Sequence, residues 1–325
     1  MNAFHVRLLS APAMVAILVA CAPLALMSGP SFAAASTTQK ATAPGEKTRS
    51  FGTPELAMQN FAAAVKSGDM TTLKAILGTR GEAILESGDP VEDKATRDRF
   101  TAAYEAFHRI DEQGANKAVI VVGKDEWPLP IPLLKYGSAW HFDVRAGKEE
   151  LLNRRIGRNE LWTIQSVLAY VDAQQEYYSR NPDKDKMLQY AQKFVSSPKK
   201  RDGLYFPTKA DEKPSPLGPL FDARRAAGYV EDGGGKPGPY HGDYYRILKG
   251  QGPKAPGGAY NYVVNGKMIG GFAVLAYPAS YGNSGIMTFV VNQDGVVYEK
   301  NLGPNTAAIA RKINRFDPDD TWKRR

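Results

Sequence analysis

Apolar residues between positions 51 and 108 recur at helical spacing and predict three helices in succession. The first begins at Thr53-Pro54-Glu55, which offers a threonine N-cap, a proline at the first helical position and an acid in the first turn. Asp69 is placed to cap a second short helix that ends at Gly78. We expect the third helix near residues 95–108, with aromatic side chains on one face.

The hydrophobic period then changes to two, which predicts strands. Residues 117–122 form an apolar run, and residues 139–145 alternate large apolar with polar side chains. Alternate prolines in residues 127–132 exclude a helix between them. We therefore expect an α+β cone-like domain over residues 51–148, with N-terminal helices followed by a curved antiparallel sheet.

The second half opens with a long helix, expected over residues 149–179, and a short one over residues 187–195. The apolar stripe of the long helix consists of Leu161, Ile164, Leu168, Val171 and Tyr178. Residues 197–239 are rich in glycine, proline and lysine, and are long enough to be either a binding loop or a mobile segment.

Residues 244–304 alternate strand-forming runs with turn signals such as Asn265-Gly266 and Asp294-Gly295. This pattern predicts a long helix packed on a four-stranded antiparallel meander, in an α+β domain over residues 149–325. In residues 286–291, the side chains that alternate between the two faces of the strand are largely apolar on both faces. We therefore expect both faces of the sheet to be covered. The long helix should cover one face, and another element, such as the first domain, should cover the other. A terminal helix is expected over residues 305–315.

The amino terminus has the form of a signal peptide, residues 1–33, followed by a polar linker, residues 34–50. This predicts a periplasmic or secreted protein without a transmembrane helix after processing. The alternative is a lipid anchor through Cys21, because residues 18–21 resemble a lipobox. Cys21 is the only cysteine, so a chain cleaved after Ala33 has no disulfide.

The net charge is +8, and the sequence pI is about 9.3. In an exported protein, this charge favours anionic lipid, lipopolysaccharide or cell-wall polymer over nucleic acid as the partner. The alternative is a soluble basic protein whose charge serves no partner. The oligomeric state stays open.

Tyrosines in and after the glycine-rich loop are the main candidate binding residues, since a tyrosine ring stacks on sugars or partner proteins and its hydroxyl forms hydrogen bonds. Ordinary sheet packing is the alternative. Two His-x-Asp pairs, His141 with Asp143 and His241 with Asp243, are considered as metal ligands, but we predict no metal, cofactor or catalytic residue. The candidate binding surface comprises Tyr240, His241, Asp243, Tyr244, Tyr245 and Tyr281.

Several segments, among them FGTPELAMQNFAAAVKSGD, GRNELWTIQSVLAYVDAQQEYY and FDPDDTW, resemble the bacterial domain-of-unknown-function family 2950. The resemblance extends over residues 51–322 and implies an exported envelope protein. The helix and meander are also similar to type IV pilin and pseudopilin heads, and residues 51–148 resemble a nuclear-transport-factor-like cone. We expect a non-enzymatic binding or assembly module; the alternative is a periplasmic hydrolase or metal-dependent enzyme with its site near the domain junction.

Overall fold

The computed structural model describes residues 48–229 and 238–325. The predicted signal peptide, Cys21, most of the linker and the triple glycine at residues 233–235 lie outside these ranges, so the predictions about processing and lipidation stay predictions. Among the described helices, none combines the length and the apolar character that a membrane crossing requires.

Residues 48–143 form an N-terminal half in which four α-helices pack on a five-stranded antiparallel sheet. The strand order is β1-β2-β4-β5, and the short β3 pairs with β2. The helices are α1 (Pro54–Ser67), α2 (Met70–Leu77), α3 (Glu82–Leu85) and α4 (Pro90–Ala106), and the strands are β1 (His108–Glu112), β2 (Lys117–Val122), β3 (Trp127–Pro128), β4 (Leu133–Tyr136) and β5 (Ala139–Phe142).

The helix starts depend on side-chain caps. The Thr53 hydroxyl accepts the Leu56 N–H, and the Asp69 carboxylate accepts the Thr72 N–H, as the sequence predicts. Helix α4 begins five residues earlier than expected, because Asp89 accepts two N–H groups of the first turn and a proline follows it.

Residues 144–325 form a C-terminal half built on one long helix and a five-stranded antiparallel sheet. The sheet order β14-β13-β12-β11-β6 contains the predicted four-stranded meander with one short edge strand added. The helices are α5 (Val144–Arg180), α6 (Gly218–Ala226) and α7 (Thr306–Lys312), and the sheet strands are β6 (Asp243–Leu248), β11 (Ala273–Pro278), β12 (Met287–Asn292), β13 (Tyr298–Asn301) and β14 (Lys323–Arg324).

Two small ribbons complete this half, and each pairs two strands of two residues. The turn of the second ribbon contains Asn265 at φ 49° and Gly266 at φ 78°, the left-handed geometry that Asn-Gly predicts. The ribbons are β7 (Gly250–Gln251) with β8 (Tyr260–Asn261), and β9 (Val263–Val264) with β10 (Lys267–Met268).

Both faces of the C-terminal five-stranded sheet are covered, as its apolar strands predict. Tyr245 and Arg246 are consecutive in β6, so their side chains point to opposite faces. The Tyr245 hydroxyl donates to Thr163 of α5, whereas Arg246 donates to the carbonyls of Ala310 and Ile313 at α7. Helix α5 therefore covers one face, and α7 covers the other in place of the N-terminal half that the sequence suggested.

Two secondary-structure predictions were wrong. Residues 187–195 are not helical: Tyr190 bridges to Met268, and the Gln174 amide bonds to both backbone groups of Ala191. Residues 197–239 are not loop throughout, because α6 lies within them. In residues 187–195, backbone N–H and C=O groups form hydrogen bonds with residues distant in sequence, and these bonds outweigh the local helical spacing of the apolar residues.

Candidate functional site

The N-terminal half contains an apolar cavity of about 370 Å³. Its wall is formed by α1, α2, α3, α4 and the strands β2 and β3, together with the start of α5. Side chains of the N-terminal core form its base, and these include Phe61, Leu77, Ile84, Val122, Leu129 and Ile131.

Helix α4 forms a loosely packed wall of the cavity. Only one of its 17 residues, Glu92, is buried, whereas α1 buries seven of its 14. Phe100 and Ala103, the apolar residues on the inner face of α4, line the cavity and remain half-buried. A molecule in the cavity would therefore bury these α4 side chains, which the protein itself leaves in contact with open space.

Arginines and aspartates surround the mouth of the cavity. Arg97 and Arg99 come from α4, Arg155 and Arg158 come from α5, and Asp93 and Asp125 are the acids that line it.

Two of these arginines share the buried Glu92 carboxylate. Arg99 reaches it at 2.7 Å and Arg158 at 3.1 Å. Burial lowers the pKa of Arg158, and the charge of Glu92 opposes that effect. The ion pair between Glu92 and Arg158 joins α4 to α5, whereas the ion pair between Glu92 and Arg99 lies within α4.

Arg155 is buried and links the two halves of the protein. Its guanidinium donates to the carbonyls of Ala83, at 2.8 Å, and Ile84, and to the Asn283 side-chain oxygen. Asn283 in turn donates to the carbonyl of Glu86 at 2.7 Å. The turn between β11 and β12 is therefore fixed to the end of α3, beside the cavity.

Asp93 is also engaged by the protein. Both of its carboxylate oxygens accept the Ser87 N–H, at 3.1 and 3.0 Å. Burial raises the pKa of Asp93, while the hydrogen bonds from Ser87 and the charge of Arg155 act in the opposite direction. The carboxylate thus holds the loop before α4 instead of facing the cavity as a free base.

The predicted binding surface is distributed over several environments. Tyr240, His241, Asp243 and Tyr245 lie together on the α5 side of the sheet, where Tyr240 contacts the rings of both His241 and Tyr245. Tyr244 points to the opposite face and packs on Tyr277. Tyr281 lies in the turn after β11 and bridges to Gly285.

The first group is joined to α5 by a buried hydrogen-bond chain. Tyr245 donates to the Thr163 hydroxyl at 3.3 Å, and Thr163 donates to Asp243 Oδ2 at 2.8 Å. Asp243 is fully buried, and its Oδ1 has no partner among the described residues. Burial therefore raises the pKa of Asp243 well above its usual range, against the Thr163 hydrogen bond.

A second set of contacts joins the same loop to α4. The Asp89 Oδ2 atom accepts the Tyr229 hydroxyl at 2.8 Å and the Gly242 N–H at 3.0 Å. The Tyr229 oxygen accepts the His241 N–H at 3.1 Å, and the His241 ring stacks on Trp162. These residues position the loop against both α4 and α5.

The candidate residue His141 and the turn residue Ser284 have local roles. His141 contacts the Thr48 hydroxyl through Nδ1 at 3.2 Å. Ser284 is buried in its turn, where it bonds to both backbone groups of Ser280. Within residues 48–229 and 238–325, no group of three or more histidine, cysteine or acidic side chains is arranged to hold a metal ion.

The family model for proteins of unknown function, DUF2950, matches residues 48–325, which include both halves and the whole cavity wall. The chain belongs to the DUF2950 family. Neither the curated proteins nor the solved structures give a match. The pilin-like and cone-like resemblances of this DUF2950 chain therefore stay predictions.

Sequence reasoning missed the cavity residues of this DUF2950 protein. Asp93, Thr96, Arg97, Phe100 and Ala103 share one face of α4, and this spacing was the available signal. The face mixes charged with apolar residues, so by itself it resembles an ordinary amphipathic helix. Only the empty space beneath it distinguishes a cavity wall from a packed core.

Proposed function

We propose that this protein is a non-enzymatic binding protein of the cell envelope and that its ligand occupies the apolar cavity. The observation that carries the proposal is the cavity of about 370 Å³ below the poorly buried helix α4. Small-molecule sites in proteins have volumes of about 300–1,000 Å³ and are lined mostly by apolar side chains. The cavity meets both conditions.

Binding explains the site better than catalysis because two nearby acids, Asp93 and Glu92, have structural partners and the third, Asp125, is exposed to solvent. Asp93 accepts a backbone N–H, and Glu92 forms ion pairs with two arginines. A general base must be free to reach the proton that it abstracts. The cavity instead offers apolar surface with positive charge at its edge, an arrangement suited to holding a molecule.

The envelope location is supported by the charged and apolar pattern of residues 1–33 and by the basic net charge. Fractionation of cells that express the full chain tests it, with the mature amino terminus determined by mass spectrometry. A periplasmic protein that starts at residue 34 supports export by a signal peptidase. A lipidated Cys21 at the terminus supports membrane anchoring, and an unprocessed cytoplasmic chain contradicts the proposal.

Titration of the full chain with N-phenyl-1-naphthylamine, an uncharged apolar dye, tests the binding site. We expect saturable fluorescence, and a rise in melting temperature with dye concentration because the ligand binds only the folded state. Leu151→Trp and Ala103→Leu, which fill the cavity from two sides, should each abolish binding.

Leu161→Trp is the matched control, because Leu161 lies on the same helix as Leu151 but is 59% exposed. Circular dichroism shows whether each variant folds. Unchanged dye binding by both folded cavity-filling variants would exclude the cavity as the site.

The candidate binding surface around Tyr240 stays a separate prediction. Pulldown from an envelope extract and cosedimentation with peptidoglycan test it, using Tyr240, His241 and Tyr244 changed together to alanine. A partner lost in this variant, but retained by the cavity-filling variants, would place a second binding surface in the loop.

A further inference from the structure

The side chain of one arginine at the cavity mouth has no hydrogen-bond or ion-pair partner in the part of the chain that the structure describes. Arg97 lies on the α4 face that lines the cavity and is half-buried. Over residues 48–229 and 238–325, its guanidinium makes neither an ion pair nor a hydrogen bond, whereas its backbone carbonyl accepts the Thr101 hydroxyl at 2.9 Å. A guanidinium carries five N–H donors in a planar fork, which suits a carboxylate or phosphate.

The other three arginines at the mouth are already engaged. Arg99 and Arg158 share Glu92, and Arg155 donates to two backbone carbonyls and Asn283. They add positive potential, and their positions are set by the protein. Arg97 is consequently the cation at the mouth that is available to a ligand.

We propose that the ligand of this cavity is an anionic amphiphile, with one carboxylate or phosphate head at Arg97 and an apolar body in the cavity. This inference rests on the proposed binding function. If each heavy atom of an alkyl chain occupies about the 30 Å³ that a water molecule takes in the liquid, the cavity accommodates about a dozen of them. A medium-length acyl or alkyl chain fits this size.

The charges at the mouth favour an anionic over a cationic head. Four arginines and two aspartates line the cavity, and the Asp93 carboxylate is held by the Ser87 N–H. The remaining acid, Asp125, is exposed to solvent. A cationic head at this position would be repelled by the unpaired Arg97 and by its arginine neighbours.

Three probes with the same ten-carbon skeleton separate the contribution of the head group to the affinity from that of the apolar body. These probes are decanoate, decyl phosphate and decanol. Isothermal titration calorimetry on the full chain, at low salt and below the micelle concentration of each probe, measures the affinities. We expect decanoate or decyl phosphate to bind about five- to tenfold more tightly than decanol, an effect between that of an exposed ion pair and that of a buried charge-assisted hydrogen bond. The tighter of the two anions identifies the head group.

Arg97→Gln should reduce the affinity for the anion to that of decanol and leave decanol binding unchanged. Arg97→Lys should restore part of the preference, because it restores the charge without the planar fork. Arg145→Gln is the matched control: Arg145 is exposed, does not line the cavity and carries the same charge. Its variant should retain the full preference.

The outcomes distinguish this inference from the function on which it rests. Equal binding of decanol and both anions, or an anion preference that survives Arg97→Gln, would overturn the anionic-head proposal while retaining the cavity as a binding site. No binding of any probe by the folded protein would overturn both. Anion preference lost in Arg97→Gln alone supports the proposal.

Discussion

Asp243 provides a sharp test of the buried polar chain between the sheet and α5. The side chain is fully buried, with one oxygen accepting the Thr163 hydroxyl and the other without a partner among the described residues. Burial raises its pKa well above the usual range. Asp243→Asn keeps the shape and an acceptor for Thr163, and removes the ionisation.

The sign of the effect follows from proton binding. Because the folded-state pKa of Asp243 is the higher one, the native protein binds more protons than the unfolded chain at every pH between the two values. The stabilisation from this proton is fully present below the unfolded pKa, about 3.9, and is lost as the pH rises through the folded pKa. The loss reaches at most about 1.4 kcal/mol per pH unit, the limit for one proton.

Urea unfolding of the wild type and Asp243→Asn, measured between pH 4 and pH 9, tests this reasoning. The slope of the difference in the free energy of unfolding against pH should not exceed about 1.4 kcal/mol per pH unit. The difference in the free energy of unfolding should change in favour of the variant as the pH rises, and it should level off above the folded pKa. Parallel curves over the whole range would refute the raised pKa. Intact far-ultraviolet circular dichroism at each pH confirms that both proteins start from the folded state.

Two further substitutions test other contacts. Gly242→Ala should lower the free energy of unfolding by about 1–3 kcal/mol in urea titrations, because its φ is 79° and a Cβ would lie 2.5 Å from Asn159 Nδ2 and 3.0 Å from Ser284 Cβ; an unchanged midpoint would contradict this packing. Asp202→Asn should show the opposite pH dependence to Asp243→Asn. Although burial opposes them, hydrogen bonds from Lys193 and the adjacent backbone lower the pKa of Asp202 to about 2, so its stabilisation is present above about pH 3.9 and is lost as the pH falls towards 2. The variant should therefore be less stable at neutral pH, and a constant difference down to pH 2 would contradict this assignment.

Local sequence signals predicted much of the fold. The caps Thr53 and Asp69 bond to N–H groups only three residues away, and the Asn265-Gly266 turn needs only two residues with positive φ. The alternating strands of the meander and the long helix were predicted in the same way, and the structure shows the helix packed on the meander. Such features require no knowledge of the rest of the chain, because their partners are within one turn or one hairpin.

The buried face of α5 could not be predicted in this way. Leu161 and Leu168 of the predicted apolar stripe are exposed, whereas the polar side chains of Asn159, Thr163 and Gln174 are buried. Each of the three finds a hydrogen-bond partner on another segment, and the most distant partner of this set is the Ser284 carbonyl, 125 positions from Asn159. A polar side chain can be buried only where such a partner is present.

The cavity and its arginines were likewise decided by the tertiary structure. Helical spacing predicted that α4 has an inner face, but the volume below that face depends on how α1, α2, α5 and the first sheet pack. Arg155 is fixed by Asn283, 128 positions away, and Arg158 by Glu92, 66 positions away, while the Arg97 side chain has no such partner among the described residues. The sequence by itself determined most of the helices, strands and turns, because these depend on neighbouring residues. The paired and unpaired charges around the cavity depend on contacts between distant segments, which only the folded chain brings together.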